Sequence, residues 1–283
     1  MGKRFARNPK AVASTAVLAL IVLAATLGPL LWRASPTLGD FSDILAFPSA
    51  PHPLGTDSLG RDTLARLLVG LRVTLVITVF VESINIVLGV SVGILAGFYG
   101  GLIDQVLSRL TDVLFAFPGL LFAILIAGVF GPAVSHLYGG TGRLLLTAGA
   151  LALIGWPMMA RYVRGVTLSL KHREFTEAAR ALGATNGYVM FHALLRNLMG
   201  IVVVTATLDA ANVIISEATL SLLGLGIQPP GSSLGLMIND AKSYISTNAT
   251  QVLFPGAVIV VLVLLVSFLG DALRDVLDPR STS

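Results

Sequence analysis

Six long apolar runs constrain the fold of this chain more than any other feature of its sequence. A helix that crosses a lipid bilayer needs about 20 apolar residues, with a lower limit of about 17. Each run reaches that limit: residues 11–32, 73–103, 113–142, 144–160, 198–216 and 252–270. Only 12% of the chain is charged, against about 25% in a soluble domain. The sequence therefore predicts an all-α polytopic membrane protein with six transmembrane helices.

A cleaved signal peptide is the alternative for the first run, because Lys3, Arg4, Arg7 and Lys10 precede it. The apolar part of a signal peptide covers about 7–15 residues and ends at a small-residue cleavage site. Run 11–32 has 22 residues, and no such site follows it closely. We therefore interpret it as a retained transmembrane helix.

The positions of Lys and Arg predict the orientation of the helices. With both termini in the cytoplasm, thirteen of the 19 basic residues fall in cytoplasmic segments and six in external ones. This bias follows the positive-inside rule. The predicted segments are a cytoplasmic tail (1–10), the first helix (11–32), an external loop with an interfacial helix (33–72), a core of five transmembrane helices (73–272) and a cytoplasmic tail (273–283). The core contains a cytoplasmic loop (165–197) and an external loop (222–250).

Composition excludes several kinds of chemistry. The chain has no Cys, which excludes disulfides, thiolate zinc sites and a cysteine nucleophile. None of its Lys residues stands in the Gly-Lys-Ser/Thr sequence of a Walker A loop, which binds the phosphates of ATP in many ATP-driven proteins. If ATP drives this protein, another subunit would have to bind it. The His residues lack metal-ligand spacing, and the basic residues line membrane borders, which does not favour a nucleic-acid partner. We expect no cofactor, no metal and no catalytic residue in this chain.

One polar segment, 173–197, separates the fourth and fifth apolar runs and lies in the predicted cytoplasmic loop. Phe175, Ala178, Ala179 and Leu182 fall at i, i+3, i+4 and i+7, which is one face of a helix. The segment therefore predicts a short amphipathic helix.

Turn signals follow that helix. Gly183 stands where a helix C-cap is expected, and Thr-Asn-Gly at 185–187 predicts a turn that caps a second helix. On periodicity alone two functions fit. The first helix could insert into a groove on a partner protein, because its central residues are small. It could equally lie on lipid headgroups.

The same segment resembles a known family. Glu177-Ala178-Ala179, three further residues and Gly183 are similar to the EAA loop of ABC-importer permeases. The surrounding WPMMARYVRGVTLSLKHREFTEAARALGAT (156–185) resembles the dipeptide/oligopeptide/nickel permease family. Four further stretches resemble the same family: HPLGTDSLGRDTLARLLVGLRVTL (52–75), DVLFAFPGLL (112–121), EATLSLLGLGIQPPGSSLGLMI (217–238) and FLGDALRDVLDPR (268–280). The chain is identified as a member of this family, most similar to its C-type subunit.

The resemblance implies a type I ABC-importer permease fold in the cell membrane of a prokaryote, with a cytoplasmic coupling helix that docks on an ATPase. The residues it implies for docking are Glu174, Glu177, Ala178, Ala179, Arg180 and Gly183. It also implies a heterodimer with a B-type permease, two ATPase subunits that bind ATP and Mg, and an external substrate-binding protein. The implied substrate is a di- or oligopeptide, and nickel, glutathione or another small solute is the alternative within the family.

One position departs from the family pattern. Arg196 occupies the place where the family usually has Pro before the fifth span. Arginine restores a backbone donor and removes a tendency to kink, so the direction in which that span begins is open at this stage.

Ionisable residues inside the spans suggest pathways or relays, because a charge in the bilayer is costly. For Glu82 and Glu217 we favour hydrogen bonds to a neighbouring helix, for instance between Glu82 and Asn85. Asp209, with Asn212 three residues on, is a candidate for the translocation path. A proton-coupled secondary transporter would use such groups too, and it is the alternative from a different class.

Two further features concern the external side and helix packing. Residues 52–71 predict an interfacial helix whose Leu side chains lie opposite Arg61, Asp62 and Arg66. The 226–233 loop is rich in turn residues and is either a simple connector or a docking or gating loop through Gln228, Pro229 and Pro230.

Glycines at 89, 93 and 97 predict close helix packing.

Overall fold

The computed structural model describes residues 9–277, and within that range the chain is almost entirely helical and contains no strand. We label the helices α1 (Pro9–Leu31), α2 (Thr63–Tyr99), α3 (Gly101–Phe115), α6 (Glu174–Ala181), α7 (Asn186–Leu222), α8 (Leu234–Ala241) and α9 (Thr250–Leu277). Helix α7 includes a π-helical turn, Val189–Leu194. Short 3-10 turns occupy Phe41–Asp43 and Lys242–Tyr244.

The remaining helical stretch, Gly119–Leu170, is two helices joined at Gly139. Gly139 has φ 58° and ψ −147°, a conformation that favours glycine because it has no Cβ. The chain reverses there, since Gly131 of the first arm contacts Arg143 of the second, and Gly119 lies beside Ile154. We label the arms α4 (119–138) and α5 (140–170).

The six-helix prediction is confirmed. Five helices are long and apolar enough to cross a membrane, and one of these, Gly119–Leu170, is divided at Gly139 into the two arms α4 and α5, which brings the number of long apolar helices to six. The helices extend beyond the predicted runs at several ends, and the turn between the third and fourth spans lies at Gly139. The predicted tails at 1–10 and 273–283 lie largely outside the described residues, and their described parts, 9–10 and 273–277, continue α1 and α9.

We refer to the two ends of the bundle by the helices that mark them. The α8 end carries α8 and the 33–62 loop. The α6 end carries α6 and the beginning of α3.

The predicted interfacial helix at 52–71 is wrong. Residues 63–71 form the first turns of α2, which continues without a break into the second span. The side predicted to face water is the buried one: Arg61 is 5% exposed, Asp62 3% and Arg66 2%. These charges tolerate burial because each has an ionic or hydrogen-bonding partner.

A cluster of buried ion pairs, Asp57, Arg61, Arg66 and Asp240, holds the α8 end together. Arg61 Nε donates to Asp57 at 2.7 Å, and one nitrogen of Arg66 donates to the same carboxylate. The other terminal nitrogen of Arg66 donates to Asp240 at 2.8 Å. This ion-pair cluster therefore ties the 33–62 loop and α2 to α8, which lies far away in sequence.

Asp62 adds a second set of contacts at the same end. It caps α2 by accepting from the backbone N–H of Ala65 at 2.7 Å. Trp32 Nε1 donates to it at 2.9 Å, and His52 Nδ1 lies 2.7 Å from its other oxygen. The loop after α1 is thereby attached to the start of α2.

Glycines at 89, 93 and 97 allow α2 to pack directly on α5. A Cβ at Gly89 would lie 2.5 Å from Met159 Cβ, and one at Gly93 would lie 2.6 Å from the carbonyl oxygen of Ala160. One at Gly97 would lie 2.7 Å from Thr167 Cβ. The glycine spacing correctly predicted close packing, and the partner is a helix of the same subunit.

Helix α3, which was not predicted from the sequence, connects α2 to α4 along the flank of α5. Arg164 of α5 donates to both carboxylate oxygens of Asp104, at 2.5 and 2.7 Å. The hydrogen bond from Arg164 lowers the pKa of Asp104. Arg161 donates to Asp112 at 2.7 Å and also lies over the ring of Phe115. These contacts attach α3 to α5 along its length.

We predict that Gly93→Val destabilises the helix pair by about 1–3 kcal/mol or more, because the added carbons overlap the α5 backbone. Gly165→Val is the matched control, since a Cβ at Gly165 meets no atom within 4 Å. Thermal unfolding of the purified chain in detergent measures both. Equal melting temperatures for the two variants would contradict the proposed packing.

We predict that Arg66→Leu lowers the free energy of unfolding by about 1.5–3 kcal/mol, because Asp57 and Asp240 each lose a charged hydrogen bond and keep only Arg61 as an ionic partner. Arg72→Leu removes the same charge from an exposed position one turn and a half along α2, and should change stability by less than about 0.5 kcal/mol. The comparison uses the same unfolding assay. A small effect at position 66 would refute the structural role of the ion-pair cluster.

Candidate functional site

Helix α6 forms the amphipathic helix that was predicted for segment 173–197. It spans Glu174–Ala181, with Glu174 and Glu177 in its first turn and Arg180 in its last. Acidic side chains near the N-terminus and a basic one near the C-terminus both complement the helix dipole. The local sequence therefore stabilises this short helix at both ends.

Gly183 ends the helix in the way the sequence predicted. Its φ is 83°, its N–H donates to Arg180 O at 2.9 Å, and the N–H of Ala184 donates to Ala179 O at 3.0 Å. This pair of bonds is a Schellman motif, which favours glycine at the left-handed position. Thr185 then accepts from Tyr188 N at 3.3 Å and caps α7. The predicted helix, turn and helix are all present.

Most of the residues that the resemblance implies for docking are exposed. These are Glu174, Glu177, Ala178, Arg180 and Gly183, while Ala179 is half-buried. The sequence did not single out Leu182 for docking, yet its side chain is 89% exposed, the largest exposed fraction among the large apolar residues described. An apolar side chain this exposed would gain free energy if a partner protein covered it.

The inner side of α6 contacts the body of the molecule. Thr176 is fully buried, and its hydroxyl donates to Leu170 O at 3.0 Å. Arg180 lies over the ring of Phe98, with Cζ 5.1 Å from the ring centroid. Of the predicted apolar face only Ala179 is half-buried, because the inner side of α6 is taken by Thr176, while Phe175, Ala178 and Leu182 are exposed.

A buried apolar cluster, which we call the junction cluster, lies beneath α6. Ala179 and Ala184 pack against it. It combines residues of α2, α5 and α7: Ile94, Phe98, Met159, Val163, Val189, Met190, Leu194 and Leu198. Displacement of α6 would therefore reach three membrane helices through continuous side-chain contact.

The π-helical turn Val189–Leu194 supplies three members of the junction cluster. Helix α7 continues from it through Arg196 to Leu222 without a break. Arg196 is exposed, and Asn197 Nδ2 donates back to Ala193 O at 2.7 Å. The span therefore begins as an uninterrupted helix at the position where the family usually has Pro.

Helices α5, α7 and α9 line a cavity of about 570 Å³, which we call the α5–α7–α9 cavity. Asp209 and Asn212, predicted for the translocation path, both line it. Asn212 Nδ2 lies 3.5 Å from Asp209 Oδ1. The structure thus brings these two side chains together at an accessible surface.

The other ionisable residues in the spans differ in how well they are satisfied. Glu217 is fully buried, and accepts from Thr74 at 2.9 Å and Ser221 at 2.8 Å, so the predicted interhelical hydrogen bonds are present. Glu82 lies beside Asn85 and Asp209, yet both of its carboxylate oxygens are buried, and neither receives a hydrogen bond of good geometry among the described residues.

The 226–233 loop at the α8 end is held by hydrogen bonds to the rest of the chain. Arg143 Nε donates to Gly226 O at 3.0 Å, and Gln228 Nε2 donates to Gly224 O at 2.7 Å. Pro229 and Pro230 are exposed and joined by a cis peptide bond. The loop is fixed on its inner side and presents the two prolines outward.

Comparison with known proteins decides the family. Residues 89–283 match the family described as binding-protein-dependent transport system inner membrane component. The chain belongs to this family. Residues 1–51 also match the N-terminal transmembrane domain of oligopeptide transport permease C.

Several members of the family are similar along nearly the whole chain. The oligopeptide transport system permease protein OppC of Escherichia coli K12 is 39% identical over 98% of this chain and 89% of its own length. The dipeptide transport system permease protein DppC of Alkalihalophilus pseudofirmus is 36% identical over 99% and 89%. The glutathione transport system permease protein GsiD of Pectobacterium atrosepticum is 37% identical over 99% and 90%.

A solved structure confirms the permease fold. The chain resembles a subunit of the MetNI methionine ABC transporter in an inward-facing conformation, with a TM-score of 0.59 and 23% identity. The match covers 75% of this chain and 96% of that one. At this identity the likeness establishes the type I importer fold and nothing about the solute.

We predict that Gly183→Ala destabilises the turn after α6 in this permease by about 1–2 kcal/mol, because an L-residue at positive φ is strained. Gly187→Ala is the matched control. Both positions have open space around an added Cβ, but only Gly183 has a positive φ. Hydrogen exchange of residues 178–188 should speed up in the first variant only, and equal exchange in both would contradict the assignment.

Proposed function

We propose that this chain is the non-catalytic permease subunit of an ATP-driven importer for di- and oligopeptides, and that it forms half of the translocation pore. The observation that carries the proposal is the combination of the family match with the exposed α6 segment. Relatives similar over nearly the whole chain are named for dipeptide and oligopeptide transport. The glutathione relative supports a second candidate, and glutathione is itself a short peptide derivative.

The partners we propose follow from what the chain needs to work. A B-type permease would complete the pore, and two cytoplasmic ATPase subunits would bind ATP and Mg, since this sequence has no Walker A loop. The α6 end would then face the cytoplasm, as the Lys and Arg bias predicts. An external binding protein would dock at the α8 end, where Gln228, Pro229 and Pro230 form part of the available surface.

Docking on a protein groove explains α6 better than contact with lipid. Its exposed side carries Glu174 and Glu177 as well as Arg180, and carboxylates are disfavoured at an anionic membrane surface. Ala178 and Gly183 let another backbone approach closely, and Leu182 supplies an apolar anchor. We therefore assign α6 as the coupling helix that enters a cleft of the ATPase.

Closure of the ATPase pair would displace α6 as a rigid body. Thr176 and the junction cluster connect it to α2, α5 and α7, so the displacement would pass to the helices that line the α5–α7–α9 cavity. Asp209 and Asn212 would then lie on the translocation path. This is alternating access driven by hydrolysis in another subunit.

Uptake by the reconstituted complex tests this function. The permease pair, ATPases and binding protein encoded with this chain should import peptide into proteoliposomes only when ATP is present inside them with the ATPases. A proton-coupled secondary transporter would instead accumulate peptide with this chain alone and a pH gradient. Uptake by the isolated chain would overturn the proposal.

We predict that Leu182→Ser weakens ATPase binding by about tenfold or more, because burying an exposed Leu side chain in the interface contributes about 1.5–3 kcal/mol. Leu38→Ser is the matched control, since Leu38 is 78% exposed but lies in the 33–62 loop at the other end. Co-purification and peptide-stimulated ATP hydrolysis measure both variants. Retained binding in Leu182→Ser would remove α6 from the proposed interface.

A further inference from the structure

We propose that Asp209, with Glu82 behind it and Asn212 beside it, forms an anionic subsite that binds the primary ammonium group of a solute as it crosses the membrane. The subsite lies in the wall of the α5–α7–α9 cavity. This inference deepens the proposed function and rests on it, because the ammonium belongs to the transported solute.

The carboxylate of Asp209 is held in place but poorly satisfied. Asn85 Nδ2 lies 3.4 Å from one of its oxygens and Asn212 Nδ2 lies 3.5 Å from the other. Hydrogen bonds of this type are usually about 2.7–3.2 Å long, and an ionised carboxylate can accept about four. Asp209 therefore retains capacity for a stronger donor from the cavity.

The groups behind Asp209 are poorly satisfied as well. Glu82 is 8% exposed and Asn85 is 1% exposed. In the described part of the chain the carboxyl group of Glu82 adjoins another acid, Asp209, and the amide of Asn85, and neither carboxylate oxygen of Glu82 nor the amide oxygen of Asn85 receives a hydrogen bond of good geometry. Buried polar groups are normally hydrogen-bonded and buried charges normally paired. This patch is therefore an exception that requires an explanation.

The character of the unpartnered atoms indicates what the patch receives. When both carboxyl groups are ionised these atoms are all acceptors, and no Lys or Arg among residues 9–277 forms an ion pair with Glu82 or Asp209. A proton shared by the two carboxyl groups would relieve their mutual repulsion and still leave one negative charge. A primary ammonium supplies a positive charge and three donors.

Cavity size favours a solute over a bare ion. The α5–α7–α9 cavity of about 570 Å³ falls within the range of about 300–1,000 Å³ for small-molecule sites. The described residues contain no group of three or more His, Cys, Asp or Glu side chains suited to a metal ion.

The position of the other charged residue in the cavity leaves Asp209 free. Arg274 of α9 also lines the cavity. Arg274 forms no ion pair with Asp209 in the described part of the chain. Asp209 is the negatively charged residue of the lining.

Protection from chemical labelling tests the subsite directly. The assembled complex in lipid nanodiscs is treated with dicyclohexylcarbodiimide, which reacts with buried carboxyl groups, and labelled peptides are quantified by mass spectrometry. Millimolar dialanine should reduce labelling of Asp209 or Glu82 several-fold, whereas N-acetyl-dialanine, which lacks the ammonium, should not. Glu217 serves as the internal control. Equal protection by the two compounds, or protection by neither, would overturn the proposal.

Transport by charge variants gives a second test. Asp209→Asn should reduce ATP-driven dialanine uptake about tenfold, the effect expected for losing a charge-assisted hydrogen bond, and Asp209→Glu should restore part of it. Asp271→Asn, the same change at an exposed site on α9, should leave uptake within about twofold. Unchanged uptake in Asp209→Asn refutes the subsite alone, whereas absence of ATP-driven uptake in the wild-type complex refutes the proposed function.

Discussion

Direct packing of α2 on α5 is the contact on which the other features of this molecule depend. Three glycines, Gly89, Gly93 and Gly97, bring the two helices so close that an added Cβ would overlap atoms of α5. The same close approach places Asn85 of α2 beside Gly155 of α5. It also places Phe98, at the α6 end of α2, next to Arg180. In a bilayer, where apolar side chains gain little from leaving lipid, such close contact is a main source of helix association.

The coupling path follows from that pair. Junction-cluster residues come from α2, α5 and the π-helical turn of α7, so α6 rests on a surface that two tightly joined helices and a third helix share. A short helix with few contacts of its own can transmit displacement only if the surface beneath it does not yield. Dense packing makes that surface rigid.

Periodicity and resemblance predicted the helices and the coupling segment well, because both depend on local sequence. The caps at Gly183 and Thr185 are examples, since a turn is decided by a few neighbouring residues. Long-range charge pairing was not predictable. Nothing near Arg66 in the sequence shows that its partner is Asp240. For this reason Arg66, which is buried, was predicted to face water. Likewise, Glu82 and Asp209 are 127 positions apart, and only the folded bundle reveals that they adjoin.

The ion-pair cluster at the α8 end has a consequence for how the chain is assembled from parts. The two family matches cover 1–51 and 89–283, and three of the four clustered charges lie in the interval between them. The cluster therefore fixes the interval between the two matched regions onto α8 of the permease core. The N-terminal region is attached next to it by the hydrogen bond from Trp32 to Asp62, and α1 packs against α2 and α9 through apolar side chains. The two matched regions are thus connected through polar contacts at the α8 end and through apolar contacts along the helices.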